Sequence, residues 1–220
     1  MRALYRVLCS ALLTLAIPVD AARADEPAAA ASWATTQAAE LTRQARDHAA
    51  RGDRSASRVR YVEAIKLDPT YGPAYLGLAA EYEASGDARE AERTYAVGLD
   101  HVPGFAEALI ARARLRARLR RPEEAAADLE AASAIDPDAL PLLRELAAAY
   151  IAARALPAAL SVMRRAATLA EAQLDAAAVA RARTEVKALA LLVGEADPVT
   201  AGRAGRGAVR HALWWGARRR

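Results

Sequence analysis

The chain has 220 residues, of which 54% are hydrophobic, 5% aromatic and 26% charged, and its formal net charge is +4. Alanine alone contributes 62 residues. Because alanine has the highest helix propensity, this composition predicts a helical protein and argues against a strand-rich or a disordered chain. The basic residues are 29 arginines and two lysines, and there is no asparagine. This bias is typical of a GC-rich genome, so the basic charge by itself says little about a polyanionic partner.

The first 24 residues have the layout of a secretory signal peptide. Met1–Arg6 carries two arginines, residues 7–17 form an apolar run, and an A-x-A pattern ends at Ala24. We expect cleavage between Ala24 and Asp25 and an exported, periplasmic protein. The alternative is a membrane anchor, but eleven residues rise only about 16 Å as a helix, roughly half of the hydrocarbon thickness. The single cysteine, Cys9, would leave with the signal, which removes disulfide and thiol chemistry.

The middle of the chain is a repeat of 34 residues, marked by Pro69, Pro103 and Pro137. When this proline is taken as position 32 of each 34-residue repeat, four repeats begin at residues 38, 72, 106 and 140. Small residues then recur at positions 8, 20 and 27, and large ones at position 24. Such a pattern predicts helical hairpins whose backbones approach closely at the small residues. The small residues are Ala45, Ala79, Ala113 and Ala147; Ser57, Ala91, Ala125 and Ala159; and Ala64, Gly98, Ala132 and Ala166, and the large ones are Tyr61, Tyr95, Leu129 and Met163.

The turns inside the hairpins can also be predicted. Gly52-Asp53 and Gly86-Asp87 place a glycine, which tolerates positive φ, after the first helix of repeats 1 and 2. In repeat 3, Arg120-Arg121-Pro122 takes this place, and proline suits the first turn of the following helix.

Residues 38–171, some three-fifths of the chain, resemble the tetratricopeptide repeat (TPR) family. The resemblance implies an all-α, right-handed α-solenoid of about four helix-turn-helix repeats, at 38–71, 72–105, 106–139 and 140–171. The sequence departs from the family pattern at His48 and Arg116, where position 11 usually has tyrosine, and at Glu171, where the fourth proline is missing. The missing proline predicts that the last hairpin runs on into the segment that follows.

The repeats are flanked by four further segments. Residues 1–24 are the predicted signal, 25–37 a linker with the start of the first helix, 172–194 a capping helix and 195–220 a flexible basic tail. Trp33 is expected to pack against the first hairpin. The capping helix is expected to cover the apolar edge of the last repeat with a stripe that includes Leu174, Ala178, Val186, Leu189, Ala190 and Val193.

The resemblance also implies a concave groove, lined by the first helix of each repeat, that holds a peptide or a helix of another protein. Because arginine binds carboxylates bidentately, an acidic segment or a free C-terminus is a candidate ligand. The two-carboxylate clamp known in the family needs asparagine and lysine at groove positions, and this chain has neither there. The predicted groove residues are Arg46, Leu76, Glu83, Ile110, Arg114, Arg118, Arg144 and Ile151.

The stretch 111–121, ARARLRARLRR, conflicts with the repeat pattern. Arg112 and Arg116 occupy positions 7 and 11, which are normally apolar. One interpretation is a functional site, since such conflicts tend to fall at functional positions. The other is that their stems lie along the hairpin while the guanidinium groups reach water. For Arg114 and Arg118, the alternative to ligand binding is pairing with Glu83, Glu107 or acids of neighbouring helices.

Catalysis is not expected from this chain. The three histidines, His48, His101 and His211, have no second ligand or base at a suitable spacing, and there is no phosphate-binding glycine loop. We therefore expect no cofactor and no metal.

The tail, Val199–Arg220, has six arginines and no acidic residue. Without the signal and this tail, 22 basic and 26 acidic residues remain, so the body carries −4 and the tail +6. Tryptophan beside arginine suits an anionic membrane surface, and a disordered solubilising tail is the alternative. Nucleic acid is not an expected partner. The residues of the predicted surface-binding tail are Arg210, Trp214, Trp215, Arg218, Arg219 and Arg220.

The sequence thus predicts a non-catalytic scaffold or assembly adaptor of the cell envelope that binds a segment of a partner protein in its groove. The first alternative is a peripheral membrane or envelope-surface protein that binds through its tail and self-associates through its repeats. The second is an accessory subunit that tethers an enzyme.

Overall fold

The computed structural model describes residues 26–194, with side chains from residue 32. All the regular secondary structure in this range is helical. The predicted signal peptide with its cleavage site, and the basic tail with its tryptophans, lie outside the described residues. The helices are α1 (Glu26–Ala50), α2 (Arg54–Leu67), α3 (Gly72–Ala84), α4 (Ala88–His101), α5 (Ala106–Arg118), α6 (Pro122–Ile135), α7 (Leu140–Ala152), α8 (Leu156–Ala172) and α9 (Ala176–Val193).

The chain divides into two compact units between Ser85 and Gly86. The first contains α1, α2 and α3, and there α1 packs against both of the others. The second contains α4 to α9, in which each helix packs against the next along the chain. The division falls between the two helices of the predicted second repeat. Across residues 26–194, no helix is both long and apolar enough to cross a bilayer.

The small residues of the repeat lie where helices pack, as the sequence predicts. All ten alanines at repeat positions 8, 20 and 27 are at most 1% exposed, Ser57 is 0% exposed and Gly98 is buried. The large residues at position 24 are buried beside them, with exposures of 3–4%. Since alanine extends no further than its Cβ, these positions let neighbouring backbones approach closely.

The first helix begins earlier than predicted. Residues 25–37 were expected to be largely a linker, but α1 starts at Glu26 and runs for 25 residues. The reason is local, because after Pro27 the sequence is rich in alanine and has no glycine or proline before Gly52. The expectation that Trp33 packs against the first hairpin is wrong, since its side chain is 59% exposed.

The early part of α1 is held by a hydrogen bond to the end of α2. Thr35 Oγ1 donates to Asp68 Oδ2 at 2.6 Å, and the backbone N–H and hydroxyl of Thr70 donate to Asp68 Oδ1 at 2.9 and 2.7 Å. Burial acts to raise the pKa of Asp68, but these donors outweigh it and the pKa falls below its usual value. Asp68 therefore stays ionised and joins the two helices.

The last repeat departs from the others where its proline is missing. Helix α8 has 17 residues, against 14 for α2, α4 and α6, and it continues through Glu171 to Ala172. The capping helix is shorter than predicted, because α9 begins only at Ala176. Leu174 was expected on its apolar stripe, but it lies in the turn and is 90% exposed.

Left-handed residues end the first helix of each repeat. Gly52 and Gly86 have φ of 80° and 82°, as their turns predict, while Arg120 and Arg154 take the same conformation with φ of 60° and 61°. After Gly52, Arg120 and Arg154, the backbone N–H of the next residue donates to the carbonyl five residues before it, as in Arg121 to Arg116 at 2.9 Å. These are Schellman-type ends, in which glycine is preferred because a Cβ is strained.

We therefore expect Arg120→Gly and Arg154→Gly each to raise the free energy of unfolding by about 0.5–1 kcal/mol. Both arginines are exposed, so little packing is lost. Urea titration followed by circular dichroism measures the change. The matched control is Gly52→Ala, which should be destabilising, and an unchanged midpoint in all three variants would contradict the strain argument.

Candidate functional site: a cleft between α7 and α9

The predicted groove residues are spread over both units. Arg46, Leu76 and Glu83 lie in the first unit, where Arg46 is exposed and the other two are half-buried. The remaining five lie in the second unit, on α5 and α7. Among these five, the structure brings Arg144 and Ile151 together at one cleft.

This cleft lies between the first helix of repeat 4 and the last helix described. Its volume is about 370 Å³, within the range of small-ligand and side-chain pockets of about 300–1,000 Å³. Helix α7 forms one wall, α9 the other, and α8 contributes to the floor. The lining residues are Arg144, Ala147, Ala148 and Ile151 on α7, Met163 on α8, and Glu185, Ala188, Leu189 and Leu192 on α9.

The cleft has a buried floor and exposed apolar edges. Ala147, Met163 and Leu189 are 1%, 3% and 6% exposed, and they also belong to the core that joins the three helices. At the edges, Ile151 is 46% and Leu192 is 69% exposed. Large apolar side chains that face solvent on both sides of a cleft mark a surface where another group can bind.

The polar groups at the rim form ion pairs. Arg144 Nη2 lies 3.6 Å from Glu185 Oε1, which links α7 to α9. Outside the cleft lining, Arg114 on α5 forms a bidentate pair with Glu145 on α7, with Nε to Oε2 at 2.9 Å. The Arg114 side chain is still 58% exposed. Exposed pairs of this kind contribute about 1 kcal/mol or less, so an incoming carboxylate can replace one partner.

Sequence reasoning missed the α9 wall. The groove positions came only from first helices of repeats, so Glu185, Leu189 and Leu192 were not among them. One signal was present, because residues 186–193, VKALALLV, carry apolar residues on more than one helical face. Leu191 and Leu192 fall outside the predicted capping stripe, and both are exposed, at 63% and 69%.

Two arginines of the arginine-rich stretch, Arg112 and Arg116 on α5, form a largely buried ion-pair network. Arg112 donates to both carboxylate oxygens of Asp128 on α6, from Nε at 2.9 Å and from Nη2 at 2.7 Å. Arg116 Nη1 donates to the same carboxylate at 2.8 Å. The three side chains are 16%, 17% and 6% exposed. The expectation that these guanidinium groups reach water is therefore wrong, since Asp128, which is 16 residues beyond Arg112, pairs with both of them inside the hairpin.

The same network reaches α4 through Glu92. Its Oε1 accepts from Arg116 Nε at 3.2 Å and from Arg121 Nη1 at 2.8 Å, and Arg121 also pairs with Glu124. Charges therefore join three consecutive helices at repeat positions 7 and 11, where repeats 2 and 4 have leucine and tyrosine. The arrangement satisfies these arginines internally and gives the stretch a structural role.

We expect Asp128→Ala to lower the free energy of unfolding by about 3 kcal/mol or more, because it leaves two largely buried arginines without their shared carboxylate. The matched control is Glu145→Ala, which removes one partner of the exposed Arg114 pair and should cost about 1 kcal/mol or less. Chemical denaturation of both variants measures the two values. Equal costs would show that the buried network contributes no more than the surface pair.

Solved structures that are similar to this chain include two of MamA proteins and one of PilF. A MamA protein covers 63% of this chain and 76% of its own, with 14% identity and a TM-score of 0.54. MamA from Desulfovibrio magneticus RS-1 covers 70% and 94%, with 16% identity and a TM-score of 0.50. PilF of Pseudomonas aeruginosa covers 70% and 77%, with 16% identity and a TM-score of 0.50. No protein-family model and no curated protein matches the chain.

The repeat pattern, the hairpins and these structures define an all-helical fold of the solenoid class. Its helical hairpins have the fold that the resemblance to tetratricopeptide repeat proteins implies. At 14–16% identity the likeness concerns the fold, and it carries no partner or activity from one protein to the other. Within residues 26–194, no group of three or more histidine, cysteine or acidic residues is arranged to hold a metal ion.

Proposed function

We propose that this chain is a non-catalytic interaction scaffold that binds a short segment of another protein in the cleft between α7 and α9. The observation that carries the proposal is the pair of exposed apolar edges, Ile151 and Leu192, above a buried apolar floor. Burying such edges contributes about 25 cal/mol for each Å² of apolar surface removed from water. A partner that inserts a large apolar side chain would gain this energy.

The chemistry of the rim favours a partner segment that also carries a carboxylate. The Arg144 and Glu185 side chains are 3.6 Å apart and 34% and 47% exposed, so their pair is weak and open to solvent. A carboxylate from the partner can bind Arg144 in place of Glu185. The ligand class is therefore an acidic peptide or helix with one or two apolar anchors, which occupies the cleft through its anchors.

We place this function in the cell envelope. The support is the predicted signal at residues 1–24 and its A-x-A site before Asp25. The partner is then another exported protein, and assembly or tethering of an envelope component is the role that fits a scaffold without a reaction of its own.

The experiment tests whether the cleft is the binding surface. A photo-crosslinking residue at position 148, on the α7 wall, should capture a partner segment from the envelope fraction. Ile151→Glu or Leu192→Glu should reduce this crosslink by about tenfold or more, since each places a charge on an apolar anchor surface. The crosslinked peptide, identified by mass spectrometry, reports the partner sequence.

The matched control is Leu174→Glu. Leu174 is also an exposed leucine, but it lies in the turn before α9 and does not line the cleft. It should leave the crosslink unchanged, and circular dichroism should show equal helicity in all variants. Partner capture that survives Ile151→Glu and Leu192→Glu would remove the cleft as the binding site.

A further inference from the structure

The cleft lies beside the point where the C-terminal tail begins. Leu192 lines the cleft, and Gly194 ends α9 two residues later with φ of 78°. This left-handed residue turns the chain away from the helix axis. Residues 195–220 follow directly, so a segment of 26 residues is tethered next to the open apolar cleft.

The tail carries groups that fit the apolar side chains of the cleft and the Glu185 side of its rim pair, whereas an acidic partner would bind the Arg144 side. Trp214 and Trp215 are adjacent, and apart from Trp33 they are the only tryptophans in the chain. Three arginines, at positions 218–220, follow them closely. The cleft offers apolar side chains for an indole ring and the exposed carboxylate of Glu185 at its rim. Residues 199–220 carry +6 and residues 25–198 carry −4, so their net charges are complementary.

The tether is long enough for this contact. Trp214 is 20 residues beyond Gly194, and 20 residues can reach up to about 70 Å when fully extended. The cleft runs along α9 from Glu185 to Leu192, a helical rise of about 10 Å. Because the segment and the cleft belong to one chain, their contact is intramolecular and does not depend on the protein concentration.

We propose that the Trp214–Trp215 segment docks into the α7–α9 cleft of its own chain. An indole contacts Ile151 and Leu192, and the following arginines lie near Glu185. The contact itself does not depend on any partner. Its consequence, which rests on the proposed function, is that the tail occupies the site as an internal competitor and an incoming segment must displace it.

The contact is tested on the full chain by tryptophan fluorescence. In a Trp33→Phe background, emission comes from Trp214 and Trp215 alone. Trp33 is largely exposed, so its replacement leaves the packing intact. We expect emission at short wavelength and slow quenching by iodide. Leu192→Glu and Ile151→Glu should each shift the emission to longer wavelength and speed the quenching, whereas the control Leu174→Glu should change neither.

Three outcomes would overturn the proposal. Long-wavelength emission in the Trp33→Phe protein, equal in all variants, would show that the tail does not dock. A blue shift that grows with protein concentration would assign the cleft to the tail of a second copy. A blue shift that appears only with anionic phosphatidylglycerol vesicles would make the tail a membrane-binding segment.

A second measurement separates this proposal from the proposed function. Trp214→Ala/Trp215→Ala should increase partner crosslinking at position 148 about threefold or more, because the competing segment is gone. If fluorescence shows docking but no partner is captured in either protein, the tail contact stands and the scaffold function fails. If partner capture is unchanged by the double substitution and the emission is at long wavelength, the scaffold function stands and the tail contact fails.

Discussion

The structure depends on the close approach of helices at residues that have almost no side chain. Every hairpin places alanine, serine or glycine at three fixed positions, and those residues are buried almost completely. A larger side chain at any of them would separate the backbones and lose the dispersion contacts of both helices. The large residue at position 24, such as Tyr61 or Met163, supplies the apolar area that alanine cannot.

The arginines on α5 and α7 have two different roles, depending on whether the guanidinium group is buried or exposed. Arg112 and Arg116 are enclosed by α4, α5 and α6, so they need Asp128 and Glu92 to be satisfied within the protein. Arg114 and Arg144 point to the exposed side of their helices, and their pairs with Glu145 and Glu185 remain open to water. Only the second kind leaves a charge that a ligand can reach. The repeat register separates the two kinds, since Arg112 and Arg116 fall at normally apolar positions and Arg114 and Arg144 at groove positions.

The sequence predicts the repeat fold well because residues of the same kind recur at the same positions of each repeat. The spacing of Pro69, Pro103 and Pro137 and the small residues around them locate the hairpins, and the glycine turns at Gly52 and Gly86 follow. The repeat positions could not predict the early start of α1 or the Asp128 network. The repeat pattern has no position that specifies a helix extension or a buried carboxylate partner. Two of the predicted groove residues, Arg144 and Ile151, line one wall of the cleft. The other wall could not be predicted in this way, since α9 lies outside the repeat register on which groove positions are defined.

The neighbour-to-neighbour packing of the described helices also determines how each unit folds. Extensive contacts within a unit join helices that are next, or next but one, along the chain. Forming them closes only short loops, so the entropy of loop closure is small and the contact order is low. Folding on the microsecond to millisecond scale is characteristic of such topologies. An opened unit then refolds faster than a protease can cleave it. Its rate of proteolysis is therefore set by the equilibrium population of the open form and not by the rate of unfolding.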